Sequence, residues 1–174
     1  MNDQLEKVLR HTLAQFHSET GTIHRLDEPT QLLHLVAYAG MPPQLIDIVK
    51  MIPVGKGIAG ETVAKNRPVT ICNLQTDTSG VARPGAKQTG VGGAVCVPVR
   101  QGDKIVGTFG IGTQREYEYS AAEINALQDI ANSLAGQIMS ATSGKAGGLT
   151  KVERPKAAWP YGQAFHRFRF NRQS

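Results

Sequence analysis

Ile52-Pro53-Val54-Gly55-Lys56-Gly57-Ile58-Ala59-Gly60-Glu61 is the stretch on which the fold turns. It reads as a strand end, a glycine-rich turn and the start of a helix running from about Ile58 to Asn66. Pro68 stops that helix, because proline cannot continue the backbone ladder, and Val69 to Cys72 follows as a short strand. Upstream, Asp3 to His17 carries Leu5, Val8, Leu9, Thr12, Leu13 and Phe16 at helical spacing, with Asn2 or Asp3 placed to cap its start. Thr22 to Leu26 and Leu32 to Ala39 are β-rich, and the turn residues Asp27-Glu28-Pro29-Thr30 between them predict a hairpin. Pro42-Pro43 opens a short helix over Gln44 to Met51.

Downstream, Asn73 to Gly90 is polar, rich in Gly, Thr and Ser, and too long for a plain connection; a loop of that length is functional or mobile. Gly93 to Arg100 and Lys104 to Thr113 are two further strands around Gln101-Gly102-Asp103. Ser120 with Glu123 spells a capping box. The helix it opens has Ile124, Leu127, Ala131, Leu134 and Ile138 as one seam, while Ile130 and Met139 lie off it.

Three stretches, taken in order, resemble the GAF family. They are the glycine turn with Arg67-Pro68-Val69, then Val97-Pro98-Val99 with Ile105-Val106-Gly107-Thr108-Phe109-Gly110-Ile111, and last Tyr119-Ser120-Ala121-Ala122-Glu123 leading to Leu127 and Ala131. The resemblance spans roughly residues 3 to 140. It implies an α/β protein of the α+β type. A central antiparallel sheet of five or six strands would carry the terminal helices on one face, with the short helices and long loop on the other. Such domains bind cyclic nucleotides, tetrapyrroles, haem or small metabolites, and the resemblance points to a small-molecule-binding sensory module that signals through a partner. It names no cofactor. A degenerate GAF fold serving only as a dimerisation unit is the alternative.

The candidate ligand site lies between the Gly57–Asn66 helix, the Asn73–Gly90 loop and a sheet face carrying either Cys96 or Val95 and Val97. Its candidate residues are Ile58, Ala59, Glu61, Thr62, Asn73, Thr89 and Cys96. Free N–H groups at the helix start suit an anionic or carbonyl group, but Gly55, Gly57 and Gly60 read as turn and packing residues rather than a phosphate loop. One enzymatic branch of the family, the free methionine-(R)-sulfoxide reductases, needs a nucleophilic thiolate and carboxylates on the substrate. Its cysteine in the glycine signature falls on Ala59, its acidic pair falls on Gly110 and Gly112, and the cysteine expected at the end of the long loop is missing. Cys72 matches a resolving position. No cysteine-dependent catalysis is therefore expected. The Asn-Lys-Phe-Asp-Glu set of the cyclic-nucleotide branch has no counterpart either.

Cys72 and Cys96 both sit in apolar stretches and read as buried structural thiols in a reducing compartment, the cytoplasm. Neither has a neighbouring His of the kind a chromophore attachment would show. His24 and His34 would face each other across the hairpin if its turn centres near Pro29, but no third ligand completes a metal site. No run of about 18 apolar residues predicts a membrane span.

The net charge of +5 is uneven. Residues 1–140 hold 12 Lys/Arg against 13 Asp/Glu, a net −1, whereas residues 141–174 hold seven against one, a net +6. The chain thus divides into a sensor domain, 1–140, and a basic, aromatic tail, 141–174, that is expected to be disordered or outside the fold. Interleaved Trp159, Tyr161, Phe165, Phe168 and Phe170 with Lys and Arg would suit nucleic acid only through that tail. Apolar residues beyond one stripe on the first and last helices predict a homodimer through the terminal helices.

Overall fold

A computed structural model describes residues 2–141 apart from Arg83, and leaves out the side chains of Pro84 and Ala86. The basic tail lies outside the described residues. The chain runs α1 (Asp3–Gln15), β1 (Thr20–Asp27), β2 (Leu32–Ala39), α2 (Pro43–Val49), β3 (Met51–Pro53), α3 (Gly57–Lys65), β4 (Val69–Ile71), a 3-10 helix (Pro84–Thr89), β5 (Ala94–Gln101), β6 (Lys104–Gly112), α4 (Ala121–Ser133) and α5 (Ala135–Ser140). Six strands form one sheet in the order β3-β2-β1-β6-β5-β4. Every neighbouring pair is antiparallel, so the α+β architecture expected from the sequence is present.

The period-2 alternation of strand side chains sorts this sheet into two faces. One carries Ile23, Ala37, Val95, Val97, Val99, Phe109 and Ile111, all buried with Leu5, Leu9, Leu13 and Phe16 near α1 and Leu127, Ala131 and Ile138 of α4 and α5. This is the main core. Gly107 sits where β6 meets β1 so closely that a Cβ would come 2.1 Å from the His24 carbonyl oxygen and 3.1 Å from Ile138 Cγ2. Only glycine fits there. The opposite face carries two smaller clusters, Leu33, Ile52, Ala59 and Cys96 in one, and Ile71, Leu74, Val91 and Ala94 in the other.

Local chemistry sets the helix ends. The Asn2 side chain accepts from the backbone N–H of Gln4 at 3.1 Å and of Leu5 at 3.2 Å, satisfying two of the donors a helix start leaves free. At α4 the Ser120 hydroxyl accepts from Glu123 N, and Glu123 Oε2 accepts from Ser120 N at 2.8 Å, the reciprocal box expected from the sequence.

The structure departs from several expectations. The last helix is two: Leu134 leaves helical geometry between α4 and α5. Met51, read as the end of a helix, instead opens β3, where His34 faces Met51 and Leu33 faces Ile52 across the strand pair. The long loop contains a 3-10 helix. β5 starts at Ala94 rather than Gly93, and Gly92 and Gly93 pass so close to the chain after β6 that a Cβ would come 2.5 Å from the carbonyl oxygen of Arg115 or Tyr117. Cys72 is exposed, not buried, since β4 is an edge strand and the chain leaves the sheet there. The two hairpin histidines are not opposed. A register shift at Ile23/His24 pairs His24 with Leu35 and Arg25 with His34, so adjacent positions turn the two rings to different faces.

The apolar faces of the terminal helices are largely used inside the protomer. Leu5, Leu9, Leu13 and Phe16 are buried, and Val8 and Ile130 pack partly buried against the core. Met139 stays 47% exposed.

Candidate functional site

The glycine signature builds one wall of a cavity. Gly55 and Gly57 hold left-handed backbone, φ +85 and +63, which L side chains reach only with strain. Gly60 is needed for a different reason: a Cβ would lie 2.4 Å from the Pro53 carbonyl oxygen. All three are thus turn and packing glycines, as the sequence suggested. Together they deliver α3 onto the second sheet face with no side-chain cap at its N-terminus. Asn66 ends α3 in the left-handed conformation, φ +52, and Arg100 of β5 braces it by donating to the Asn66 carbonyl at 2.8 Å and to Asn66 Oδ1.

Between α3, the end of α2, the long loop and the sheet lies a cavity of about 140 Å³. Gly57, Ile58 and Ala59 form its α3 wall, Ile48 and Val49 its α2 wall, and Leu74, Thr89 and Val91 its loop wall. The sheet supplies Thr20, Thr22 and His24 of β1, Ala94 and Cys96 of β5, and Gly110 and Gly112 of β6. Cys96 stands opposite Gly110, and Thr22 stands opposite Gly110 on the other side, so the strand glycines leave the floor open. The question of parity is answered by burial: Cys96 belongs to the cavity face, and Val97 to the main core.

Among the described residues, the walls contain no Asp, Glu, Lys or Arg. Their one titratable base, His24, is 1% exposed. Its Nε2 lies 2.7 Å from the Val49 carbonyl oxygen; a carbonyl only accepts, so Nε2 carries the proton and donates. Nδ1 is buried with no hydrogen-bond partner. Burial holds the imidazole neutral, its pKa lowered to about 4 against the pull of the Val49 bond. Burial likewise pushes the Cys96 thiol up to about 11, while the Thr62 and Thr108 hydroxyls act in the other direction. A thiol so placed is not a nucleophile at neutral pH.

Of the seven residues named from sequence, Ile58, Ala59, Thr89 and Cys96 meet at this cavity. The other three do not. Thr62 lies behind the α3 wall, donating to the Ile58 carbonyl at 2.8 Å and near the Cys96 carbonyl at 3.4 Å. Glu61 points along the helix surface and pairs with Lys65 at 3.2 Å. Asn73 donates to Glu116 Oε2 and accepts from Gln75 N, in a separate polar groove of about 660 Å³ that also includes Cys72, Asp77 and Ser79. Sequence reasoning missed Thr20, Thr22 and His24. Alternate spacing along β1 was the available signal, but choosing the inward parity requires the partner strands.

Among the described residues no cluster of three or more His, Cys, Asp or Glu could hold a metal ion. His34 sits with Asp27 at 3.9 Å instead. No helix among them is long and apolar enough to cross a membrane.

Solved structures share this fold. The GAF domain of an Acinetobacter phosphoenolpyruvate-protein phosphotransferase aligns with a TM-score of 0.65 at 20% identity, covering 78% of this chain and 80% of that one. A type II free methionine-R-sulfoxide reductase from Thermoplasma acidophilum aligns with a TM-score of 0.66 at 18% identity, covering 81% and 94%. The free methionine-R-sulfoxide reductase of Neisseria meningitidis, solved in complex with its substrate, aligns with a TM-score of 0.63 at 15% identity, covering 77% and 75%. No curated protein matches the chain in sequence. A family model described as GAF domain matches residues 2–138. With the six-stranded antiparallel sheet and the glycine-built α3 wall, that match establishes that this chain belongs to the GAF domain family.

Proposed function

We propose that this GAF domain is a regulatory module that senses a small molecule held in the cavity between α3, the long loop and the sheet. The observation that carries the reading is the cavity itself: a partly open, mostly apolar pocket of about 140 Å³ beside a helix start that no side chain caps. Concave, mostly apolar pockets with a few polar groups are where small molecules bind. A ligand bound only by the folded state raises the melting temperature, by about 2.7 kcal/mol of added stability at 100 times its Kd. Thermal-shift screening of small neutral compounds should find molecules that stabilise the wild-type chain and fail to stabilise a Gly110→Val variant, whose side chain occupies the floor. Stabilisation equal in both proteins would place the ligand elsewhere and sink the reading.

Reductase chemistry is the second reading, because three solved neighbours are described as methionine sulfoxide reductases. The chemistry of this site favours the sensor. The positions that correspond by resemblance to that branch's reactive and substrate-holding groups are Ala59, Gly110 and Gly112, and the thiol that does line the cavity is Cys96, held protonated by burial. Purified protein given free methionine sulfoxide and a dithiol reductant should produce no methionine above background. Turnover lost in a Cys96→Ser variant would reverse the assignment.

A further inference from the structure

Resting on the sensor reading above, we infer that Thr22 is the specificity residue of the cavity, and that it holds a ring-sized, largely apolar part of the ligand that carries a hydrogen-bond acceptor, an oxygen or a ring nitrogen, above Gly110. The polar side chains of the described lining are those of Thr20, Thr22, His24, Thr89 and Cys96. Four of them are engaged or out of reach. Thr20 is buried and donates to the Gly112 carbonyl at 3.2 Å. The Thr89 hydroxyl accepts from the Val91 N–H at 3.3 Å. His24 gives its Nε2 to the Val49 carbonyl at 2.7 Å, and its other nitrogen has no surface that a ligand could touch. The Cys96 thiol is buried and hydrogen-bonds only weakly. Thr22 differs from all four. It is half-buried, and its hydroxyl makes no hydrogen bond among the described residues yet keeps accessible surface.

The glycine across the strand pair shows where that hydroxyl lies. Thr22 stands opposite Gly110, and a Cβ on Gly110 would find Thr22 Oγ1 and Cys96 Sγ both at 3.6 Å. Cys96 belongs to the cavity face. Thr22 Oγ1 therefore borders, on that same face, the space that a side chain at position 110 would fill. A free hydroxyl beside a partly open pocket is hydrated, and a ligand that displaces such a water loses affinity unless it replaces the bond. The hydroxyl hydrogen takes an acceptor, and so do the N–H groups at the uncapped start of α3 in the adjoining wall, which the helix itself leaves free. The group that suits both is an acceptor. An apolar protein cavity of about 150 Å³ accommodates benzene, so about 140 Å³ seats one six-membered ring, and the open side lets the rest of a larger ligand extend outward.

Pyridine and benzene are the test pair: the same ring with and without one acceptor, both uncharged at neutral pH. Dissociation constants come from ¹H–¹⁵N titrations of the full chain, read at Ile58, Ala94 and Gly110. In a Thr22→Val variant, which keeps the side-chain shape and loses the hydroxyl, pyridine should weaken by about fivefold or more, the effect of leaving its nitrogen without a donor. Benzene should change by less than about twofold. A Thr22→Ser variant, which keeps the hydroxyl, should hold pyridine within about threefold of the wild-type chain. Thr22→Ala takes the place of Thr22→Val if the latter does not fold. Equal losses for both rings, unchanged pyridine affinity without the hydroxyl, or a loss in Thr22→Ser as large as in Thr22→Val overturns the role of Thr22 and leaves the cavity standing as a site. Neither ring perturbing Ile58, Ala94 or Gly110 overturns the sensor reading, and this inference with it.

Discussion

Replacing Gly110 or Gly107 by alanine, two glycines on the same strand, should move stability in opposite directions. At Gly110 the backbone is not in the left-handed region, and an added Cβ would find Cys96 Sγ and Thr22 Oγ1 at 3.6 Å and Cys96 Cβ at 3.7 Å, all ordinary contact distances. The substitution therefore adds no clash and removes conformational freedom from the unfolded chain, a gain of about 0.4–1 kcal/mol. At Gly107 the same methyl would sit 2.1 Å from the His24 carbonyl oxygen. That atom is backbone in the middle of the β1–β6 ladder, so the strands must part, at a cost of at least about 1–3 kcal/mol. The two variants should differ by about 2 kcal/mol or more, which corresponds to roughly 8 °C in melting temperature for a domain of this size. Thermal and urea denaturation measure it. The Gly110→Ala methyl also lies on the cavity floor, so it should weaken a small molecule held there while raising the melting temperature of the free protein. A Gly110→Ala variant destabilised as much as Gly107→Ala would refute the open floor, and with it the cavity on which the functional reading stands.

Stability should depend on pH through His24. Its folded pKa is lowered from 6.5 to about 4, so the unfolded chain takes up a proton that the folded chain refuses. The contribution is complete above about pH 6.5 and is lost as pH falls towards 4, amounting to roughly 3 kcal/mol; urea denaturation should show that slope, and a His24→Phe variant should flatten it. The two cysteines should label at different rates: Cys72 is exposed and Cys96 buried with its thiol pKa pushed up to about 11, so maleimide should modify one thiol in the native protein and the second only on unfolding. Equal rates would contradict the burial of Cys96. Self-association through the terminal helices rests on Met139, 47% exposed, beside a face otherwise covered within the protomer. A homodimer should then need high micromolar protein in light scattering and vanish in a Met139→Lys variant, and a monomeric mass at every concentration would remove it.

The residues that set local geometry were legible without coordinates. Asn2 and Ser120 announce helix starts because their side chains satisfy N–H groups two and three residues away. The glycine turn announces α3 because Gly55 and Gly57 adopt backbone that other residues resist. The same kind of reading found four cavity residues, Ile58, Ala59, Thr89 and Cys96, since each belongs to an element whose order was plain. It failed where the answer depends on residues distant in the chain. His24 looked like half of a histidine pair, but a register shift between Ile23 and His24 moved it opposite Leu35 and into the cavity. Cys72 and Cys96 sit in similar apolar runs, yet one lies just past an edge strand and the other on an interior strand. Asn73 and Glu61 were drawn into the site by their neighbours in sequence, while their side chains found Glu116 and Lys65. Capping and turn geometry are short-range and are written in a few consecutive residues. Strand register, face parity and burial are long-range, because a one-residue slip reverses every side chain, and only the assembled sheet selects among the alternatives.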